Sequence, residues 1–149
     1  MKEMKTAIIF YSKHHGNTKK LRDAIAAECD VDLIDITADK DADLVGYDRI
    51  GIASGIYYSS FAKQVLEFAE RKLPEGKRVF LISTCGSPRK NYFDAISKVV
   101  WQKRCQNIGT YECLGFDTFG PFKLVGGIAK GHPTEDEIKG AVEFYKSLK

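Results

Sequence analysis

No stretch of this sequence is apolar for long enough to cross a bilayer: runs such as Thr6–Tyr11 and Val79–Ile82 fall far short of the ~20 residues a spanning helix needs. The opening Met1-Lys2-Glu3-Met4-Lys5 has neither an apolar core nor a small-residue cleavage site, so no secretory leader is expected. Cysteine is scarce and scattered. Cys29, Cys85, Cys105 and Cys113 form no Cys-x-x-Cys pair, and none stands at metal-ligand spacing from a histidine. That sets aside a zinc site and a thioredoxin-like centre. Free thiols suit a reducing compartment, and the expectation is a cytoplasmic protein with no metal and no membrane partner. Excess charge of one sign is also missing. The net charge is +3 with the lysines dispersed, which gives no signal for nucleic acid. Two phosphate signatures are absent as well: there is no Gly-x-x-x-x-Gly-Lys-Ser/Thr and no Gly-x-Gly-x-x-Gly.

What is present reads as a single domain over residues 1–149, with 44% hydrophobic and 29% charged residues. Candidate strands are Thr6–Tyr11, Val31–Ile36, Arg49–Ser54, Arg78–Thr84 and Ile108–Phe116. The first, third and fourth are nearly continuous in apolar residues, as strands covered on both faces should be. Helical spacing links Leu21, Ala24, Ile25 and Cys29, then Phe61, Val65, Leu66, Phe68, Ala69 and Leu73, then Tyr92, Phe93, Ile96, Val99 and Val100. A last helix starts at Thr134 with Glu137 three residues on, the sequence of a capping box. Strand–helix alternation repeated along the chain implies right-handed βαβ units and a parallel sheet with helices on both faces. The stretch Asp117–Pro133 lacks any clear period, and its aromatic pair Phe119 and Phe122 favours a functional segment.

The strongest local signal is Tyr11-Ser12-Lys13-His14-His15-Gly16-Asn17-Thr18, between the first strand and the first helix. In an open α/β sheet, ligands bind outside the carboxyl ends of the strands. A helix start there offers unpaired N–H groups and the positive end of a dipole. Ser12 and Thr18 add hydroxyls, Asn17 an amide, and Gly16 a close backbone approach, which together suit a phosphate monoester. The bland alternative is that these residues only cap a helix. His14 and His15 either donate to the phosphate or are solvated loop residues. A receiver domain would need acidic residues after strands one and three, where this chain has Ser12-Lys13 and Ser54-Gly55.

Strand three leads into Ser54-Gly55-Ile56-Tyr57-Tyr58-Ser59-Ser60, and strand four into Thr84-Cys85-Gly86-Ser87-Pro88-Arg89. Each alone reads as a turn. Three such loops on one sheet edge, one suited to phosphate and one offering flat tyrosine faces, describe a flavin mononucleotide (FMN) site.

On these residues the sequence resembles the flavodoxin family, over essentially its whole length. The family's first loop reads Ser/Thr-x-Thr-Gly-Asn-Thr; Gly16-Asn17-Thr18 matches it, and His15 stands where a threonine is usual. The resemblance implies a flavodoxin-like three-layer sandwich, with a five-stranded parallel sheet in the order 2-1-3-4-5. It implies that Ser12, His14, His15, Gly16, Asn17 and Thr18 hold the phosphate. Ser54, Gly55, Ile56, Tyr57 and Tyr58, with Thr84, Cys85, Gly86 and Ser87, would flank the ring. There are departures. The only tryptophan, Trp101, belongs to a predicted helix, the third loop has no aromatic before Tyr92, and the chain is basic. Cys85 is read as a buried structural thiol.

The function implied is a low-potential electron carrier that docks transiently with redox partner proteins, a reductase and an acceptor. The alternative on the same fold is an FMN-dependent reductase acting between NAD(P)H and a quinone-type acceptor. A third reading is a site adapted to another phosphate ligand, which His15 keeps open.

Overall fold

Strand β1, Thr6–Tyr11, is buried along its whole length, because it has a strand on each side and helices on each face. The computed structural model describes residues 4–11, 17–57, 59–86, 90–115 and 131–148. Strand β1 pairs with β2 (Asp32–Asp35) on one side and with β3 (Arg49–Tyr57) on the other, both parallel. Beyond β3 lie β5 (Arg78–Cys85) and β6 (Gln106–Leu114), also parallel. The path β2-β1-β3-β5-β6 is the expected 2-1-3-4-5 order of five parallel strands. A sixth, two-residue strand, β4 (Ser60–Phe61), pairs antiparallel with β3 off that path.

Alternation sends successive side chains to opposite faces. Ile8 and Phe10 join Leu21 and Ile25 of α1 (Asn17–Glu28) and Ala141, Val142 and Tyr145 of α4 (Glu135–Ser147). Ile9 and Tyr11 join Val65, Phe68 and Ala69 of α2 (Lys63–Lys72) and Ile96, Val99 and Val100 of α3 (Asp94–Gln102). Gly51 of β3 exists for packing: a Cβ there would lie 2.4 Å from the ring of Phe80, its register partner on β5. The capping box forms as read, with Thr134 Oγ1 accepting from Glu137 N at 3.2 Å and Glu137 Oε1 accepting from Thr134 N at 2.8 Å.

The connection from β2 to β3 holds no helix; Asp35 Oδ1 accepts from Thr37 N and Oγ1, and its carbonyl from Ala38 N and Asp39 N, which makes a turn. Two details differ from expectation. Strand β3 does not stop at Ser54. It runs on to Tyr57 and folds back, with Ile56 opposite Phe61 and Tyr57 opposite Ser60. The two-residue connection is tight enough to hold Ser59 at φ 63°, the left-handed region. Phe61 is therefore a buried strand residue, edge-on to Phe93, rather than the first apolar residue of α2. Similarly, Tyr92 and Phe93 fall in a 3-10 turn, Lys90–Phe93, ahead of α3.

Candidate functional site

At the carboxyl edge of the sheet three adjacent strands lie side by side in register, with β3 running on beyond β1. Tyr11 of β1 is in register with Ser54 of β3, Ser54 with Ser83 of β5, and Gly55 with Thr84. Asn17 opens α1 directly above this edge, so the first turn of a 12-residue helix points its unpaired N–H groups there.

Thr18 belongs to that first turn. Its side chain is 1% exposed, yet Oγ1 has no hydrogen-bond partner among the described residues. A hydroxyl buried without a partner is costly, which makes it a position waiting for one. Three other buried oxygens are orphaned among the described residues: Ser83 Oγ on β5, Oε2 of Glu112, its register partner on β6, and Ser60 Oγ at the β3–β4 hairpin. Burial pushes the Glu112 carboxyl above the usual carboxylate range.

Ser54 is fully buried and occupied within the protein. Its Oγ donates to the carbonyl of Gly55 at 2.6 Å and accepts from Ala62 N at 2.9 Å, which pins the hairpin across β4. The Tyr57 ring folds back over Gly55, where a Cβ would meet it at ordinary contact distance, 3.5 Å. It also stands edge-on to Tyr11, ring centroids 6.4 Å apart. Ile56 is half-buried against the α2–α3 side of the core. A cleft of about 480 Å³ opens beside Tyr11, between the β2–β3 connection and α2, with Thr37, Lys40 and Arg71 on its walls.

On β5, Thr84 and Cys85 are each 3% exposed, and Gly86 follows at the strand end. The Cys85 thiol is directed at the carbonyl of Cys113, 3.8 Å away, in keeping with a structural thiol. Burial pushes the Cys113 thiol up to about 12, helped by the charges of Glu137, Cys85 and Glu112, so it stays protonated.

The sheet therefore brings Thr18, Ser54, Gly55, Ile56, Tyr57, Thr84, Cys85 and Gly86 to one edge. Ser12, His14, His15, Gly16, Tyr58 and Ser87, with Phe119 and Phe122, lie outside the described residues. Sequence reasoning missed Ser60, Ser83, Glu112 and Arg22. Ser83 had a signal, being a polar residue that directly follows the apolar run Val79–Ile82 on a strand buried on both faces. Trp101 lies on α3 and is 79% exposed; it borders an opening of about 500 Å³ with Arg104 and Cys105, where β6 begins, at the opposite edge of the sheet.

A family model described as a flavodoxin domain matches residues 8–109. The chain belongs to the flavodoxin family. It is 36% identical over 147 residues to an uncharacterised protein of Methanocaldococcus jannaschii, covering 97% of this chain and 98% of that relative. Its fold is similar to that of two-electron reduced Megasphaera elsdenii flavodoxin, with a TM-score of 0.62 and 20% identity over 92% of this chain and 97% of that one. It is also similar to the Trp repressor binding protein of Bacillus subtilis, with a TM-score of 0.69 and 14% identity over 97% of this chain and 99% of that one. The matched region of this flavodoxin-family chain takes in the carboxyl part of β1, all of α1, and the carboxyl ends of β3 and β5.

Proposed function

We propose that this chain binds FMN at the carboxyl edge of its sheet and serves as an electron carrier in the cytoplasm, docking transiently with a reductase and an acceptor. The observation that carries the reading is the buried, unpartnered Thr18 hydroxyl in the first turn of α1, beside the glycine-bearing ends of β3 and β5. A phosphate monoester satisfies that hydroxyl and the free N–H groups of the helix start together. Ser12, His14, His15, Gly16, Asn17 and Thr18 would hold the phosphate. Gly55, Ile56, Tyr57 and Tyr58, with Thr84, Cys85, Gly86 and Ser87, would flank the ring, and Ser54 would act by fixing the hairpin that presents them.

Bound FMN supplies reversible uptake and release of electrons; the protein supplies binding, orientation and electrostatic tuning. The described part of the edge is rich in hydroxyls and backbone donors, and this chemistry asks for no side-chain acid or base. Ser54 and the β3–β4 pairing hold the hairpin that would present the Gly55–Ile56 peptide to the ring. Thr84 and Cys85, both buried, would keep water from the end of β5 when the group is bound.

A second reading, an FMN-dependent reductase acting between NAD(P)H and a quinone, is favoured by one observation. Trp101 stands far from the site, which leaves one stacking partner fewer and more room above the ring. Steady-state assay of the FMN-loaded protein with NADPH and a soluble quinone separates the two. A carrier turns over well below the ~1 per second at which ordinary enzymes begin, and rates above that favour the reductase.

A further inference from the structure

Arg22 follows Thr18 by four residues and so lies one turn along on the same face of α1. It is 7% exposed, an unusual degree of burial for an arginine. Its guanidinium carbon lies over the ring of Phe10 of β1, 3.3 Å from the centroid. Nε and Nη1 are buried and make no hydrogen bond among the described residues. Two carboxylates face the group. Asp23 Oδ1 stands 3.7 Å from Nε, beyond hydrogen-bonding distance. Asp35 is already engaged, with Oδ1 accepting from both Thr37 N and Oγ1.

Burial works to lower the pKa of Arg22, and Asp23 and Asp35 work against it. Arginine keeps its proton in either case. The result is a fixed positive charge with donors unused, an arrangement that costs stability unless an anion completes it. Helical side chains lean toward the amino end of their helix, so the long Arg22 side chain reaches back toward the turn that holds Thr18. Two independent orphans, a hydroxyl and a guanidinium, therefore belong to consecutive turns on one face of α1, beginning at its start.

We propose that Arg22 is the cation of the phosphate subsite, and that it makes this protein select a phosphorylated flavin over its unphosphorylated form. The assignment rests on the FMN reading and adds to it a residue outside the first loop. A guanidinium with two free donors recognises a phosphate by charge and by geometry, whereas the helix start supplies only partial charge.

The test titrates the apoprotein and its Arg22→Gln variant with FMN and with riboflavin, following the quenching of flavin fluorescence. The variant should lose about 10- to 100-fold in FMN affinity while its riboflavin affinity stays within about twofold. Arg22→Lys, which keeps the charge, should recover part of the loss. Should Arg22→Gln fail to fold by circular dichroism, Arg22→Met keeps the aliphatic stem on Phe10 and takes its place. Unchanged FMN affinity in the variant, or an equal loss for both flavins, overturns the assignment and leaves the FMN reading standing. A wild-type protein that binds riboflavin as tightly as FMN also overturns it. A wild-type protein that binds neither overturns the FMN reading, and the role of Arg22 with it.

Discussion

The hydroxyl of Ser54 accepts a hydrogen bond from the backbone N–H of Ala62 at 2.9 Å, so the last core residue of the third parallel strand fixes the entrance to α2. Between these two residues the chain makes the whole β3–β4 hairpin. A hairpin of this size is marginal by itself, and its position on the sheet edge depends on that bond and on the burial of Phe61.

Ser54→Ala leaves the Ala62 N–H buried without its partner. The expected cost is about 1–3 kcal/mol of stability. The same variant should weaken FMN binding, since the hairpin carries Gly55 through Tyr57. Thermal unfolding and flavin titration check the two parts separately.

The tyrosines of the hairpin provide the ring contacts in the proposed site. Replacing both Tyr57 and Tyr58 by alanine should reduce flavin affinity about tenfold or more. FMN and riboflavin should suffer alike, because stacking does not involve the phosphate. That pattern is the opposite of the one expected for Arg22, and parallel titrations of the two variants read it directly. Unchanged affinity in the double variant would place the stacking surface elsewhere.

Gly51 offers a control far from the site. A methyl group there meets Phe80 at 2.4 Å and Ile8 at 3.1 Å, and both neighbours are fully buried. Gly51→Ala should cost about 1–3 kcal/mol by overpacking. Once folded, the variant should bind FMN as the wild type does, which separates loss of core from loss of site.

Glu137 ties α4 to the end of β6. Its carboxylate accepts from Thr134 N, from His132 Nδ1 at 2.5 Å and from Leu114 N at 3.2 Å. Burial pushes its pKa up, but these bonds outweigh burial and hold it below the usual carboxylate range. A lowered folded-state pKa gives stability that is present above the unfolded carboxylate range, near pH 4.5, and lost as pH falls through the folded value. Glu137→Gln should therefore lower the melting temperature at neutral pH and flatten its fall below that range. Melting curves between pH 3 and 7 check the sign; a variant that parallels the wild type at every pH would contradict it.

Much of this architecture was legible because its causes are local. Strands β1, β3 and β5 are buried on both faces and read as apolar runs. Thr134 and Glu137 carry their own capping geometry, and Gly16-Asn17-Thr18 marks the start of α1. Other features depend on partners distant in the chain. Ser54-Gly55 reads as a turn, yet pairing with Ser83 and Thr84 and the return through Ser60 and Phe61 keep it in a strand. Arg22 beside the apolar Leu21 and Ile25 reads as a solvated helix position. Only the sheet beneath it, with Phe10 in place, turns that position inward. The connection after Asp35 has no structure assigned from the sequence, and its bonds to Thr37 make it a turn.

The most direct test of the account is to titrate the purified apoprotein with FMN and follow flavin fluorescence and the visible absorption bands. The account predicts saturable one-to-one binding, with FMN bound more tightly than riboflavin and the flavin bands shifted on binding. A protein that leaves FMN fluorescence unchanged at every concentration would contradict it, and the carboxyl edge of the sheet would then serve another ligand.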